Sequence, residues 1–119
     1  MTQADLIQRF IDSTNAAIYL KDGQGRLLMV NRKVAEMFNA GKEEIVGKTD
    51  YDLISKEEAD TIRDYDRQVA ETGVPMTFEA TVSLPDGKHT FIDHKFPVSN
   101  IDGAPNAVGG IAIDITEKR

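Results

Sequence analysis

Val108-Gly109-Gly110-Ile111-Ala112-Ile113-Asp114-Ile115-Thr116 is the stretch around which the chain is organised, and Glu117-Lys118-Arg119 follows it at once. Successive side chains of a strand alternate between faces, so Ile111, Ile113 and Ile115 share one face while Gly110, Ala112 and Asp114 share the other. One face is apolar and the other nearly bare, which lets a bulky group approach the backbone closely. The apolar pattern stops at Asp114-Ile115-Thr116. An aspartate two residues before a threonine can make a local side-chain hydrogen bond that ends the strand. The charged triplet then suits an exit into a solvated helix or linker.

The 119 residues suffice for one domain with a single core and fall short of two. A formal charge of -6 and a pI near 4.8 argue against a nucleic-acid partner, because counterion release needs clustered Lys and Arg. The absence of cysteine excludes disulfides, thiolate nucleophiles, cysteine-ligated metals and cysteinyl chromophore adducts. No window approaches the roughly 18 apolar residues of a membrane span. The N-terminus also lacks a signal-peptide layout, so a cytoplasmic location is expected.

Upstream of the final strand, residues 2–12 read as an amphipathic helix. Thr2 and Asp5 resemble a capping box, and Leu6, Ile7, Phe10 and Ile11 form a stripe. That stripe either covers the chain's own sheet or packs against a second copy. Residues 16–21 and 26–30 read as strands joined by Asp22-Gly23-Gln24-Gly25. Asn31 can cap a short helix that Gly41 would stop. Residues 42–54 are irregular.

The clearest helix spans residues 55–72. Ser55 and Glu58 suit a capping box, and Gly73 then Pro75 end it. Its inner edge comprises Ala59, Ile62, Tyr65 and Val69, with Asp66 assigned to the margin. Residues 76–84 alternate with Met76, Phe78, Ala80, Val82 and Leu84 inward. After a turn at Pro85-Asp86-Gly87-Lys88, residues 90–98 place Ile92, His94, Phe96 and Val98 on one face. A hairpin, a helical crossover and a three-stranded meander together make an α+β layout.

Gly47-Lys48-Thr49 suggests a phosphate loop. Five residues separate Gly41 from Gly47 where that motif needs four, and Glu43 and Glu44 would oppose the phosphate. His89 and His94 point to opposite faces of one strand and cannot share a metal, so no metal site is expected. Asp50 and Asp52 suit turn hydrogen bonds better than acid–base work. His94 interrupts an apolar row, either as a hydrogen-bonded core histidine or as a polar contact in a pocket wall. Tyr65 has the same two readings, while Met37, Ile62 and Phe78 suit either core or cavity lining.

Several segments in order resemble a PAS domain of bacterial and archaeal signalling proteins. They are Ile18-Tyr19-Leu20-Lys21-Asp22, Val30-Asn31, Ile45-Val46-Gly47-Lys48-Thr49-Asp50-Tyr51-Asp52, Glu71-Thr72-Gly73, Leu84-Pro85-Asp86-Gly87, Lys95-Phe96-Pro97-Val98 and residues 110–119. The resemblance implies a five-stranded antiparallel sheet in the order 2-1-5-4-3, with helices over one face enclosing a cavity. It divides the chain into an N-terminal amphipathic cap helix at 1–14, a PAS domain at 15–116 and the start of an exit linker or signalling helix at 117–119. Asp114 and Thr116 match the family's terminal Asp-x-Thr, which couples to an output module such as a histidine kinase or diguanylate cyclase.

The chain lacks the cysteine of flavin-adduct and coumaroyl members. It also lacks the central-helix histidine of familiar haem-binding members, and no tryptophan supports a flavin held without a covalent bond. The expectation is a non-catalytic sensory or dimerisation module, with a homodimer and an output domain as partners. A small-molecule ligand would lie near Met37, Ile62, Tyr65, Phe78 and His94; its identity is left open, and an empty relay module is the alternative. A rival is a cone-shaped isomerase-type enzyme using His94 and an aspartate as acid and base, but such enzymes do not end in Asp-x-Thr.

Overall fold

In the computed structural model, which describes residues 1–116, five antiparallel strands form one sheet. They are β1 (Ala17–Lys21), β2 (Leu27–Val30), β3 (Met76–Leu84), β4 (Gly87–Val98) and β5 (Ala107–Asp114), in the order β2-β1-β5-β4-β3. The last strand in sequence therefore lies at the centre, paired with β1 on one edge and β4 on the other. Helices α2 (Arg32–Met37), α3 (Lys42–Ile45), α4 (Asp50–Leu53) and α5 (Lys56–Thr72) all fall between β2 and β3, and α1 (Gln3–Asp12) precedes the sheet. The expected 2-1-5-4-3 order is present. The irregular stretch 42–54 contains two single-turn helices.

Asn31 holds the first third of the chain together. Its amide donates to Ile11 O (2.7 Å) and Ala16 O (2.9 Å), and its Oδ1 accepts from Ile18 N (3.1 Å) and Val34 N (3.3 Å). One fully buried side chain thus caps α2, receives the end of α1 and fixes the start of β1. All of its hydrogen-bonding capacity is used. Gly41 does not stop α2: that helix ends at Met37, Asn39 takes the left-handed turn at φ 52°, and Gly41 caps α3.

Helix α1 begins with the expected Thr2–Asp5 capping box and packs on α2. Only Ile11 of its stripe is buried, and Leu6, Ile7 and Phe10 remain exposed. Helix α5 starts at Ser55, whose Oγ accepts from Glu58 N, and ends at Gly73 in the left-handed conformation at φ 69°. The Glu58 carboxylate keeps its bonds to Ser55 and also reaches the sheet. It accepts from Ser83 N and Oγ, both at 3.0 Å, and so ties the start of the helix to β3.

Strand β3 has the expected phase, with Val82 and Leu84 buried. Strand β4 has the opposite one. Phe91, Asp93 and Lys95 face inward, whereas His94 is exposed on the outer face, with Thr77 Oγ1 3.0 Å from its Nδ1. The apolar row Ile92, Phe96 lies beside Ile111 and Ile113 of β5, and both isoleucines are exposed. Apolarity alone misassigned this strand, because the inner face is the one that carries two charges.

Candidate functional site

Five ionisable side chains and one tyrosine meet beneath α5. Asp66, assigned to the helix margin from sequence, is only 2% exposed. Its Oδ1 accepts from Lys95 Nζ at 2.8 Å and its Oδ2 from Lys21 Nζ at 3.0 Å. Lys95, 1% exposed, also donates to Tyr19 Oη (2.7 Å) and lies 3.3 Å from Asp93 Oδ2. Tyr19 Oη donates to Asp93, whose two oxygens are 2.9 and 3.0 Å away. Lys21 completes the set by donating to Asp50 Oδ2 at 2.7 Å.

The elements explain the meeting. β1 turns Tyr19 and Lys21 inward, β4 does the same for Asp93 and Lys95, and α5 lays Asp66 across both. The bare face of β5 makes room: a Cβ on Gly110 would sit 2.0 Å from Tyr19 Cζ, so the ring lies directly on the glycine backbone.

Each charge is kept by its neighbours. Burial works against the Asp66 carboxylate, but Lys21 and Lys95 outweigh it and hold its pKa below the ordinary value of 3.8. Burial likewise disfavours both ammoniums. Asp93 and Asp66 beside Lys95, and Asp66 and Asp50 beside Lys21, nonetheless raise both pKa values above 10.5. Tyr19, buried and next to Asp93, is pushed well above 10 and stays a neutral phenol. Among the described residues no buried side-chain nitrogen or oxygen lacks a partner.

This ionic cluster forms one end of a cavity of about 90 Å³ between the helices and the sheet. Val34, Phe38, Leu53 and Ile54 wall it on the helical side, and Ala17, Leu27, Ala80, Val82, Phe91 and Ala112 on the sheet. Tyr19, Lys21, Asp50, Asp93 and Lys95 supply the polar end.

Of the five residues expected from sequence, Met37 and Ile62 line this cavity. Tyr65 and Phe78 do not. Their rings stack on each other, with centroids 4.0 Å apart, where α5 crosses β3. His94 lies on the far side of the sheet with Thr77 and reaches neither the cavity nor an aspartate, which removes the acid–base pair that an isomerase would need. Tyr19, Lys21, Asp93 and Lys95 were missed. The available signal was Asp66 on the inner edge of the clearest helix, since a buried carboxylate demands a cation from a neighbouring element.

At the exit, Asp114 Oδ1 accepts from Thr116 N (2.9 Å) and from the Thr116 hydroxyl. Thr116 Oγ1 accepts from Thr90 N at 3.0 Å. The local bond expected from Asp-x-Thr is therefore present, and it is sewn to β4. Asp114 Oδ2 lies 2.6 Å from His89 Nδ1, and His89 Nε2 lies 2.7 Å from Asp86 Oδ1 in the β3–β4 turn. These carboxylates, Asp114 first, raise the His89 pKa above 6.5. The exit helix expected at 117–119 lies outside the described residues. Among those described, no His/Cys/Asp/Glu group of three or more is arranged to hold a metal, and no helix is long and apolar enough to cross a membrane.

Residues 11–119 match the family model described as PAS fold, and the chain belongs to that family. It is 30% identical over 108 residues to the methanogenesis regulatory histidine kinase FilI of Methanothrix harundinacea, covering 90% of this chain and 12% of that protein. It is 24% identical over 118 residues to the aerobic respiration control sensor protein ArcB of Escherichia coli, covering 98% of this chain and 15% of ArcB. The chain thus spans a small part of the curated relatives it matches. Among solved structures it resembles VqmA of Vibrio cholerae in a ligand–DNA complex, with TM-score 0.81, 22% identity and coverage of 97% of this chain and 52% of that one. It also resembles the PAS domain of the Cronobacter turicensis quorum-sensing receptor RpfR in complex with BDSF, with TM-score 0.73, 20% identity and coverage of 89% and 99%. At these identities the structures speak to fold.

Proposed function

We propose that this chain is a cytoplasmic, non-catalytic sensory module. It binds a small molecule in the core cavity and passes occupancy through Asp114 and Thr116 to an output domain of a signal-transduction protein, such as a histidine kinase or diguanylate cyclase. The observation that carries this reading is the course of β5. Ala112 lines the cavity, and two residues later on the same strand Asp114 holds the exit. A ligand that pushes on Ala112 changes the strand that leaves the domain. Signalling requires that the ligand favour one state of that strand over another. The histidine kinase named among the relatives and the ligand-bound PAS-fold neighbours support the same reading.

The module acts as a homodimer in this proposal. Phe10 is 80% exposed, with Leu6 and Ile7 beside it, and Ile113 on the outer sheet face is 53% exposed. A second copy presents the same helix and the same face, so a two-fold interface can pair each apolar patch with its own copy.

A second reading, an empty relay module, is favoured by the fact that among the described residues every buried side-chain nitrogen and oxygen already has at least one protein partner. Xenon, an uncharged apolar probe that enters dry protein cavities, separates the two. Saturable amide shifts at Val34, Ile62 and Ala112 under xenon pressure support a ligand-accessible cavity. Unchanged spectra at those amides would refute it and leave the relay.

A further inference from the structure

Two buried lysines on a cavity wall suggest at first an anionic ligand, and counting charges reverses that expectation. Asp50, Asp66 and Asp93 face Lys21 and Lys95, three carboxylates against two ammoniums, so the polar end is already net negative. Lys95 donates to Tyr19 and Asp66 and is ion-paired with Asp93 at 3.3 Å, so its ammonium is already surrounded by acceptors. Among the described residues Lys21 donates to Asp50 and Asp66 and keeps one N–H, while Asp50 accepts through Oδ2 and keeps Oδ1. The cavity therefore ends in one spare donor beside one spare acceptor.

A carboxylate would accept from Lys21 but set four anions against two cations among side chains that are largely buried. An ammonium would balance the count, but it would leave the Lys21 N–H without an acceptor and add a third cation beside two that already repel each other. A hydroxyl or amide uses both spare positions and brings no charge into an apolar chamber. Building on the sensory reading above, we infer that the cavity selects a small uncharged molecule with a hydroxyl or amide at one end, seated between Lys21 and Asp50, and discriminates against anions.

Size points the same way. An apolar cavity of about 150 Å³ takes benzene, so the about 90 Å³ found here admits about four non-hydrogen atoms. Ligand-efficiency limits then keep such a molecule no tighter than about tens of micromolar.

The test uses four probes of four non-hydrogen atoms each: propan-2-ol, acetamide, acetate and isopropylammonium. Each is titrated into the chain at constant ionic strength while the amides of Lys21, Ile62 and Ala112 are followed by NMR, with xenon as the reference for cavity access. Propan-2-ol and acetamide should bind saturably, with acetate and isopropylammonium at least about tenfold weaker. In Asp50→Asn, which brings the cluster to two charges of each sign, acetate should gain at least about threefold relative to propan-2-ol.

Acetate or isopropylammonium binding as tightly as propan-2-ol would overturn the inference and leave the sensory reading standing. So would xenon entry without binding of either neutral probe, or an Asp50→Asn variant with unaltered preference. Failure of xenon itself to enter would remove the sensory reading and this inference with it.

Discussion

Replacing Asp66 by asparagine keeps the shape of the side chain and removes the charge that both buried lysines share. Asp66 accepts two charge-assisted hydrogen bonds, at 2.8 and 3.0 Å, and its partners are almost wholly buried. Such bonds contribute about 1.5–3 kcal/mol each. Breaking a buried pair from one side costs about 3–5 kcal/mol, because the remaining cations keep their desolvation penalty. The expected loss is therefore about 3–5 kcal/mol, a large part of the roughly 5–15 kcal/mol that stabilises a domain.

Urea unfolding should show a lower midpoint with an unchanged slope. A double-mutant cycle with Lys95→Met should return a coupling of about 1–3 kcal/mol. The folded-state pKa of Asp66 is depressed, so its contribution is present above the unfolded value of about 3.9 and is lost as pH falls through the folded pKa. Asp66→Asn should remove that share of the acid sensitivity. A loss under about 1 kcal/mol with no coupling to Lys95 would refute the buried cluster.

Gly110→Ala should destabilise the domain by about 1–3 kcal/mol or more, because the new methyl meets the Tyr19 ring; chemical denaturation measures it, and a neutral result would mean that Tyr19 does not lie on β5. His89 has a raised folded-state pKa, so its contribution is fully present below its unfolded pKa and is lost as pH rises through the folded one. Stability should decline from about pH 6 towards 8, and His89→Gln should flatten that decline; an imidazole titrating below 6.5 by NMR would contradict it. Phe10→Asp and Ile113→Asp should each shift sedimentation towards a single chain, and a wild-type protein that stays monomeric at high concentration would dispose of the dimer.

The sheet order was legible because turn residues and alternation delimit every strand, and the family pattern supplies the connectivity that periodicity leaves open. The exit was equally legible, since an Asp-x-Thr bond is local. The polar end of the cavity was not. Asp93 and Lys95 alternate with Ile92, His94 and Phe96, and the hydrophobic rule assigns the apolar row to the interior. The outer face is apolar too, so alternation identifies two faces without saying which is inside. Burial of Lys21 and Lys95 depends on partners 45 and 29 residues away. Met37 and Ile62 were found because both lie on inward helical stripes. Tyr65 and Phe78 share that inward orientation but fill each other's space beyond the cavity.

Coupling between cavity and exit is best measured by following the amide of Thr116, which donates to Asp114, while propan-2-ol fills the cavity. Its chemical shift should move and saturate with the same apparent affinity as the Ala112 amide, and filling the space by Ala80→Leu should abolish both responses. Cavity amides that shift while Thr116 and Asp114 stay fixed would contradict transmission along β5.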